Sequence, residues 1–320
     1  MSMASQTPLE VAPRKPGPTA DGHRAAEPHK RRRRSDGRAA AIFLAPTLGG
    51  FTIFTLVPIV GSLLVALTIW PLAGTPTFAG VDNFLKLFKD PAFMKAIVNT
   101  LIFVVAYVPL NLVISIGIAA WISPRIYGGN LYRVLLFIPV VTPMVANAAV
   151  WQAMLIPNGV LDGILMTLFK VHAPNFLGDT RYAMASVVVM SLWQGFGYNL
   201  LIFTSALQAV PESVLEAAEI DGARGARRFF AIKIPMISPS IFFAATMTII
   251  TSFQVFAQPY VLTNGGPANA TTTMVMYLYQ QGFQFFNLGY AAAIGVVLFA
   301  MILAVSGVVF LLQRRLVHYE

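Results

Sequence analysis

Six long apolar segments recur along the chain, separated by shorter polar stretches. A helix needs about 20 residues to cross the roughly 30 Å hydrocarbon core of a bilayer, and each segment is at least that long. None of them contains Asp, Glu, Lys or Arg. The segments are residues 39–71, 96–122, 134–156, 182–208, 237–263 and 288–313. The pattern therefore predicts an all-α polytopic membrane protein with six transmembrane helices in one domain.

Two further features of the pattern concern the shape of the spans. Val160–Phe169 is apolar but too short to cross, and we expect it to form a helix on the outer face or a re-entrant helix. Proline removes a backbone donor and kinks a helix, although many membrane helices tolerate it. Pro139 and Pro143, only four residues apart, favour a bend that lines a cavity. The spans contain Pro46, Pro58, Pro109, Pro139, Pro143 and Pro259.

Basic residues are distributed unevenly between the two sides of such a protein. With the N-terminus inside, the inner segments hold seventeen of the 22 Lys and Arg residues, and the outer loops hold five. Cytoplasmic loops carry such an excess. The inner segments are then residues 1–38, 123–133, 209–236 and 314–320. This asymmetry predicts a multi-pass protein with both termini in the cytoplasm, as an even number of spans requires.

Composition narrows the classes of function. The chain is 57% hydrophobic and 11% charged, whereas soluble domains carry about 25% charged residues. It has no cysteine, and its four histidines lie apart, so thiol chemistry and a clustered metal site are not expected. Nine basic residues precede the first span, which is typical of a lipid anchor and topology signal rather than of nucleic-acid binding. We predict a disordered basic cytoplasmic tail over 1–38, a transmembrane domain over 39–315 and a cytoplasmic C-terminus over 316–320.

The longest inner segment, residues 209–236, begins with the pattern of an acidic helix. Pro211 suits the first position of a helix. Three carboxylates follow at spacings of four and three, which places them on one face: Glu212, Glu216 and Glu219. Ala217 and Ala218 leave this helix a narrow side that another protein can approach closely.

A turn and a second helix follow in the same segment. Gly222 is expected to break the first helix, and Pro235 to end the second one before the fifth span. The second helix is basic, with Arg224, Arg227 and Arg228. The pattern predicts a helix-turn-helix that docks onto another protein. The simpler interpretation is a capped amphipathic segment that lies on the membrane surface.

These residues resemble the EAA loop of bacterial ABC importer permeases. The matching positions are Glu216, Ala217, Ala218, Asp221, Gly222 and Pro235. A second block, Tyr260–Pro267 with Tyr277, Phe283 and Gly289 after it, resembles maltose-type and glycerol-phosphate-type permeases. The resemblance extends over roughly residues 40–315 and is to the first, maltose-transporter-F-like member of a permease pair. Ile234 departs from it, since leucine is usual there, and this is a conservative change.

The resemblance implies a type I ABC importer permease fold and a function. Residues 209–236, called the coupling loop below, would dock on an ATPase subunit and convert nucleotide-driven closure into movement of the spans. The implied partners are a second homologous permease, two ATP-binding-cassette ATPases and an extracytoplasmic solute-binding protein in a bacterial cell membrane. ATP and magnesium would bind to the ATPase, since this chain has no phosphate-binding loop. The chain is therefore expected to be non-catalytic, without a cofactor of its own.

Polar and aromatic side chains inside spans four and five are candidates for a sugar path. Buried amides are costly in lipid unless they are paired, so they either bond between helices or contact substrate. The resemblance matches four of them to sugar-contacting positions: Gln194, Gly195, Tyr198 and Ser252. Gln254, Phe256 and Gln258 follow in span five, and Asn147 and Trp151 in span three are candidates on polarity alone.

Alternative functions differ in substrate or in coupling. A di- or oligosaccharide is the first choice for the substrate, and glycerol-3-phosphate or its esters are the second. The spans contain no cation that a phosphate would favour. An ion-coupled secondary transporter would usually keep a charged residue inside a span, and none is present there. A non-transporting membrane scaffold has no positive feature in its favour.

Overall fold

The computed structural model describes residues 32–71, 74–122 and 129–316. Regular structure in these ranges is almost entirely helical, which confirms the predicted fold class. The α-helices are α1 Arg32–Phe51, α2 Val57–Ala66, α3 Asp82–Leu87, α4 Pro91–Ile122, α5 Gly129–Val141, α6 Met144–Leu155, α7 Val160–Phe169, α8 Thr180–Gln208, α9 Glu212–Ile220, α10 Gly225–Arg228, α11 Ile234–Met236, α12 Ser238–Phe253, α13 Ala257–Thr263, α14 Met274–Tyr279 and α15 Leu288–Leu316. Three π-helical turns occupy Thr52–Leu56, Phe229–Lys233 and Gln280–Gln284.

The regular structure that is not helical in the described ranges is a short antiparallel pair of strands. β1 Thr68–Ile69 pairs with β2 Thr77–Phe78, with Thr68 opposite Phe78. The side chain of Asn83 holds this region, since its Nδ2 donates to the carbonyls of Ala66 (2.8 Å) and Thr68 (2.9 Å). A buried amide of this kind replaces the partners that the ends of α2 and β1 lack.

The chain divides into two compact units, with the boundary after Leu56. In the first unit, α1 and the π-helical turn carry side chains that are exposed or half-exposed wherever they are described. Helix α1 begins at Arg32, inside the predicted tail 1–38, and arginine is a good helix former. Residues 1–31 and 317–320, which contain the rest of the tail and most of the predicted C-terminal segment, lie outside the described ranges. The second unit contains all other elements.

Five described helical stretches are long and apolar enough to cross a membrane. They are Ala40–Ala66, Pro91–Ile122, Met144–Phe169, Thr180–Gln208 and Leu288–Gln313. Gly225–Met236 and Ser238–Phe253 pass the same test together, with a 69° bend between them, and make six if they are one span. The predicted third span is divided at residues 142–143, and α7 has the bounds predicted for the short apolar helix.

Helix α8 is the most buried of the spans and organises the packing of the second unit. It lies along α4 and also contacts α5, α12 and α13, while α15 packs on α2 and α12. One buried cluster between α4, α8 and α12 is apolar and includes Ala119, Phe203 and Ala244. Large apolar side chains cover the outer faces of the helices, such as Val105 on α4 and Leu311 on α15, both 70% exposed. Such faces suit lipid or another membrane subunit.

Asp90 caps α4, and Asp179 caps α8 by accepting from the N–H of Arg181 (2.9 Å). Asp90 precedes Pro91, the first residue of α4, and its Oδ1 accepts from the N–H of Ala92 (2.9 Å). Its Oδ2 also accepts the hydroxyls of Tyr277 and Tyr290. Partial burial acts to raise the pKa of Asp90, but these hydrogen bonds outweigh it and hold the pKa below its ordinary value. The stabilisation is therefore present above about pH 4 and is lost as the pH falls further.

Candidate functional site

A cavity of about 620 Å³ lies where α4, α8 and α12 meet, and it is called the membrane cavity below. Its lining combines polar groups and aromatic rings with aliphatic side chains, including Val140, Met144, Met247 and Val255. The polar and aromatic lining residues are Phe103, Tyr107, Tyr198, Asn199, Thr248, Thr251, Ser252, Gln254, Phe256 and Gln258, and Gly195 also lines it. Lining residues include no Asp, Glu, Lys, Arg or His. The cavity is therefore suited to an uncharged ligand rich in hydroxyl groups.

The structure brings six of the nine sequence-predicted path residues together around this cavity. They are Gly195, Tyr198, Ser252, Gln254, Phe256 and Gln258. The other three, Gln194, Asn147 and Trp151, are not among its lining residues. Trp151 instead contacts Trp193 across α6 and α8, with ring centroids 5.7 Å apart.

Asn147 and Gln194 hold the break between α5 and α6. Pro143 has no N–H to donate to the carbonyl of Pro139, four residues earlier. The Nδ2 of Asn147 donates to that carbonyl instead (3.0 Å), and the Nε2 of Gln194 donates to the carbonyl of Thr142 (3.3 Å). The predicted bend at Pro139 and Pro143 is therefore present, and these two amides satisfy the carbonyls that the bend leaves open.

Replacing Asn147 with alanine is expected to destabilise the protein. The substitution leaves the buried carbonyl of Pro139 without a donor, which costs about 1–3 kcal/mol. Ser205→Ala is the matched control, because Ser205 bonds the carbonyl of Leu201 within α8 in an exposed setting. Thermal unfolding in detergent should show a lower midpoint for Asn147→Ala alone. Equal midpoints for both variants would contradict this role of Asn147.

A second break, at Gln254–Phe256 between α12 and α13, interrupts the segment predicted as one continuous span over 237–263. Pro259 explains it, because it cannot donate to the carbonyl of Val255. That carbonyl accepts the hydroxyl of Thr273 instead (2.8 Å). The break sets Gln254 and Phe256 on the wall of the membrane cavity. Irregular backbone at membrane depth is tolerated where it lines such a cavity.

A buried amide network joins three helices beside the cavity. The Nδ2 of Asn199 on α8 donates to Oδ1 of Asn111 on α4 (2.7 Å) and to Oγ1 of Thr248 on α12 (2.8 Å). The Nδ2 of Asn111 in turn donates to the hydroxyl of Tyr107 (3.2 Å). Asn199 is 3% exposed, and its Oδ1 has no hydrogen-bond partner among the described residues. It is thus a buried acceptor without a partner, enclosed beside the cavity.

Sequence reasoning missed Tyr107, Asn111 and Thr248 as members of the site. Tyr107 and Asn111 are separated by four positions, so they lie on one face of α4. The same criterion that selected polar groups in spans four and five would have found Tyr107 and Asn111 in span two, whereas Thr248 lies in span five.

Close packing at Gly195 shapes one wall of the cavity. A Cβ atom at this position would lie 2.1 Å from the hydroxyl oxygen of Tyr107 and 3.3 Å from its Cζ. Only glycine therefore allows α8 to lie this close to the Tyr107 ring.

The coupling loop forms two helices joined by a tight turn, as predicted. The N–H of Ala223 donates to the carbonyl of Ala218 (2.8 Å), and the N–H of Gly222 to that of Glu219 (3.1 Å). This is the hydrogen-bond pattern of a helix C-terminus that ends in a left-handed residue. Gly222 supplies that residue, with φ +81°. Ala218 is buried, whereas Glu216, Ala217 and Asp221 are exposed.

Charges on the two helices of the loop face each other. Glu219 lies 3.6 Å from Nε of Arg224 and 3.5 Å from Nη1 of Arg228. A cavity of about 720 Å³ beside them is lined by Glu212, Leu215, Glu216, Glu219, Arg228 and Lys233, among others. Ile220, at the end of α9, is 88% exposed. The surface therefore offers charge of both signs next to an apolar residue, as a docking site does.

One continuous segment connects the coupling loop with the membrane cavity. Gly225–Met236 contains Pro235 and leads through a 69° bend at Ile237 into α12. Helix α12 then ends at Phe253, and the next residues line the cavity.

Comparison with known proteins adds a family and several relatives. Residues 111–318 match the family described as "Binding-protein-dependent transport system inner membrane component". The chain is 32% identical over 291 residues to the probable ABC transporter permease protein YesP of Bacillus subtilis, covering 90% of this chain and 94% of that one. It is 32% identical to the lactose transport system permease protein LacF of Rhizobium radiobacter, and the match covers 86% of this chain and 93% of LacF. It is 34% identical to the sn-glycerol-3-phosphate transport system permease protein UgpA of Yersinia pestis, and the match covers 87% of this chain and 95% of UgpA.

A solved structure supports the fold. One chain of a bacterial alginate ABC transporter, in complex with an alginate pentasaccharide-bound periplasmic protein, superposes with a TM-score of 0.77. The two chains are 22% identical, and the match covers 88% of this chain and 96% of that one.

Proposed function

Because the chain belongs to the family of binding-protein-dependent transport system inner membrane components, we propose that it is the permease subunit through which an ABC importer moves a carbohydrate inward by alternating access. The observation that carries the substrate class is the membrane cavity. Its wall offers hydroxyl, amide and aromatic groups and no charge. Asn199 and Thr248 add an amide and a hydroxyl group to the same wall.

The relatives support two substrates, lactose and sn-glycerol-3-phosphate. The phosphate group of sn-glycerol-3-phosphate brings acceptor oxygens and negative charge to its site. Proteins typically bind such a group through Arg or Lys, whereas the described cavity lining has no cation. These features favour a neutral di- or oligosaccharide.

The coupling loop is the proposed contact with an ATPase. Glu216, Ala217, Ala218, Asp221, Gly222 and Pro235 form its core, on the cytoplasmic side together with both termini. Excess basic residues in the inner segments support this orientation. The complete importer then contains a second homologous permease, two ATPase subunits that bind ATP and magnesium, and an extracytoplasmic solute-binding protein.

Reconstitution tests the proposal. The complex is assembled in proteoliposomes from this chain, its partner permease, the ATPase and the binding protein. A panel of di- and oligosaccharides is compared with sn-glycerol-3-phosphate. We expect a saccharide to stimulate ATP hydrolysis and to be taken up, and glycerol-3-phosphate to do neither. Stimulation by glycerol-3-phosphate alone would overturn the substrate class.

The chain without its partners provides the second arm of this test. It is expected to show neither ATP hydrolysis nor saturable uptake, since it contributes half of a pore and no phosphate-binding loop. Uptake by this chain alone, driven by an ion gradient, would establish a secondary transporter instead.

A further inference from the structure

A further cavity lies between the end of α4 and the second helix of the coupling loop. Its volume is about 420 Å³, and it is called the α4–α10 cavity below. Residues of the last turn of α4 and of the second half of the loop line it, among them Trp121, Arg228, Phe230 and Lys233. The lining contains two cations and no acidic residue. A cleft lined by charge of one sign attracts the opposite charge, so the cavity favours an anion.

Lys233 is the cation that lacks a counterion among the described residues. Nη1 of Arg228 lies 3.5 Å from Oε2 of Glu219, so a carboxylate already offsets the charge of that arginine. No carboxylate of the described residues pairs with Lys233, although this lysine is half-buried. Burial removes water from its ammonium group, and the positive charge of Arg228 also acts on it. Such a group is stabilised by an anion that enters the cavity.

Aromatic residues place the α4–α10 cavity at the level of lipid headgroups. Trp121 is the penultimate residue of α4, and its ring packs edge-on against Tyr132 of α5, with centroids 5.9 Å apart. Trp and Tyr are enriched where a membrane helix leaves the hydrocarbon core. Trp121 and Phe230 are 59% and 68% exposed, so accessible apolar surface flanks the two cations. This combination suits a ligand that carries an anionic group and an apolar part together.

We propose that the α4–α10 cavity binds an anionic phospholipid, with its phosphate at Lys233 and Arg228 and its acyl chains along Trp121 and Phe230. Basic pockets beside membrane helices take headgroups of this kind. The bound lipid joins the end of α4 to the second helix of the coupling loop. The proposal requires only that the chain lies in a bilayer, so it is independent of the transported substrate and of the side that the loop faces.

Three other occupants share part of this chemistry. Free phosphate has the negative charge but no acyl chains. An acidic side chain of a docked ATPase is the second, because part of the cavity wall belongs to the coupling loop. Water and dissolved ions are the third, since basic residues near a membrane also attract anionic lipid without any defined site. The test has an arm for each of them.

Trp121 reports on the cavity directly, because brominated acyl chains quench the fluorescence of a tryptophan that they contact. The full-length chain is reconstituted in phosphatidylcholine bilayers that contain increasing amounts of brominated phosphatidylglycerol. The same measurement on Trp121→Phe gives the signal of the other three tryptophans, which is subtracted. The quenching curve then gives the affinity of this site for phosphatidylglycerol relative to phosphatidylcholine. We expect the wild-type chain to prefer phosphatidylglycerol.

The two cations are tested by neutral substitutions. In Lys233→Gln the preference for phosphatidylglycerol should fall roughly fivefold, which is the effect of one basic residue near an anionic membrane surface. Lys233→Arg keeps the charge and should keep the preference. Arg228→Gln removes the other cation of the cavity and should lower the preference too, so it decides the matter if Lys233→Gln does not fold. Thermal unfolding midpoints in detergent report on folding.

Arg227→Gln is the matched control. Arg227 belongs to the same helix and is exposed, but it does not line the α4–α10 cavity. The substitution removes the same charge from the same surface and should leave the preference unchanged. Inorganic phosphate is added in a further arm, at an ionic strength matched with sodium chloride, and should not displace the brominated lipid. The measurement is then repeated on the chain assembled with its ATPase, where the preference should persist.

Each contrary outcome overturns the proposal. If Lys233→Gln and Arg228→Gln keep the wild-type preference, or if Arg227→Gln lowers it equally, the lipid is attracted by the basic surface without a defined site. If inorganic phosphate abolishes the preference, the cavity takes free phosphate. If assembly with the ATPase abolishes it, the cavity belongs to the contact between the two subunits. Carbohydrate transport is measured separately, so the proposed function can stand or fail without the lipid site.

Discussion

Gly222→Val is expected to abolish uptake by the assembled importer while leaving the chain inserted in the membrane. Gly222 has φ +81° at the turn between α9 and α10. A residue with a side chain is strained there by about 1–2 kcal/mol, and a β-branched residue by more. A Cβ at this position meets nothing within 4 Å, so the effect is purely conformational. The turn bonds from Ala223 and Gly222 are lost, and α10 changes direction relative to α9.

Asparagine provides the matched control for this substitution. Among non-glycine residues it is one of the few that adopt positive φ readily. Gly222→Asn is therefore expected to retain most of the uptake, with Gly222→Ala between the two. Substrate-stimulated ATP hydrolysis, uptake, and co-purification of the ATPase are measured together. A Gly222→Val complex with its ATPase bound and normal uptake would reduce the loop to a surface cap.

Glu216→Lys tests the same loop by reversing a charge. Glu216 lines a cavity together with Arg228 and Lys233, so the substitution places a third positive charge beside two existing ones. Like charges around one cavity repel each other and destabilise the loop, and the acidic face of α9 is lost. We expect the ATPase to co-purify in reduced amount. A path variant such as Tyr198→Ala should impair uptake with the ATPase still attached.

Gly195→Ala is expected to reduce uptake by more than about tenfold, the second large effect. Its new methyl group would lie 2.1 Å from the hydroxyl of Tyr107, a distance that forces the ring or α8 to move. Either movement disturbs the hydrogen bond between Asn111 and Tyr107 and changes the wall of the membrane cavity. A loss of about 1.4 kcal/mol in substrate-binding free energy already corresponds to a tenfold weaker affinity.

A second-site substitution tests the cause. Tyr107→Phe removes the atom that the new methyl group strikes, leaving Cζ at 3.3 Å. The double variant should therefore transport better than Gly195→Ala alone, which is a favourable coupling in a double-mutant cycle. Gly117→Ala on α4 is the control, because a Cβ there meets nothing within 4 Å. If Tyr107→Phe gives no improvement, the contact is not the reason for the glycine.

The pattern of the sequence predicted the fold class, the turn at Gly222 and the bend at Pro139 and Pro143, and it missed the break at Gln254–Phe256. Apolar segments without charge identify spans because lipid excludes charge, whatever the tertiary packing. A break depends on whether a neighbour can satisfy the carbonyl that proline leaves open. Asn147 does so for Pro139, and Thr273 does so for Val255 from eighteen residues further along the chain. No local pattern contains that second contact.

The same limit applied to the path residues. A polar group inside a span has the same sequence signature whether it faces a cavity or a backbone carbonyl. Six path residues line the cavity, whereas Gln194 and Asn147 are directed to carbonyls beside the α5–α6 break. Thr248 has no distinctive signature either, because Ser and Thr hydroxyl groups inside spans commonly bond within their own helix, as Thr248 also does with Ala244.

Helix α12 has the properties of a lever arm. Sixteen residues of uninterrupted helix extend about 24 Å, with a bend at one end and a break at the other. Over that length, a tilt of about 5° at Ile237 displaces the far end by about 2 Å. A displacement of this size is enough to break a hydrogen bond, whose oxygen atoms lie about 2.7–2.8 Å apart. The breaks at both ends confine the movement to the joints, so the helix itself need not deform. Under the proposed function, a small rotation of the coupling loop would change the positions of Ser252 and Gln254 on the cavity wall.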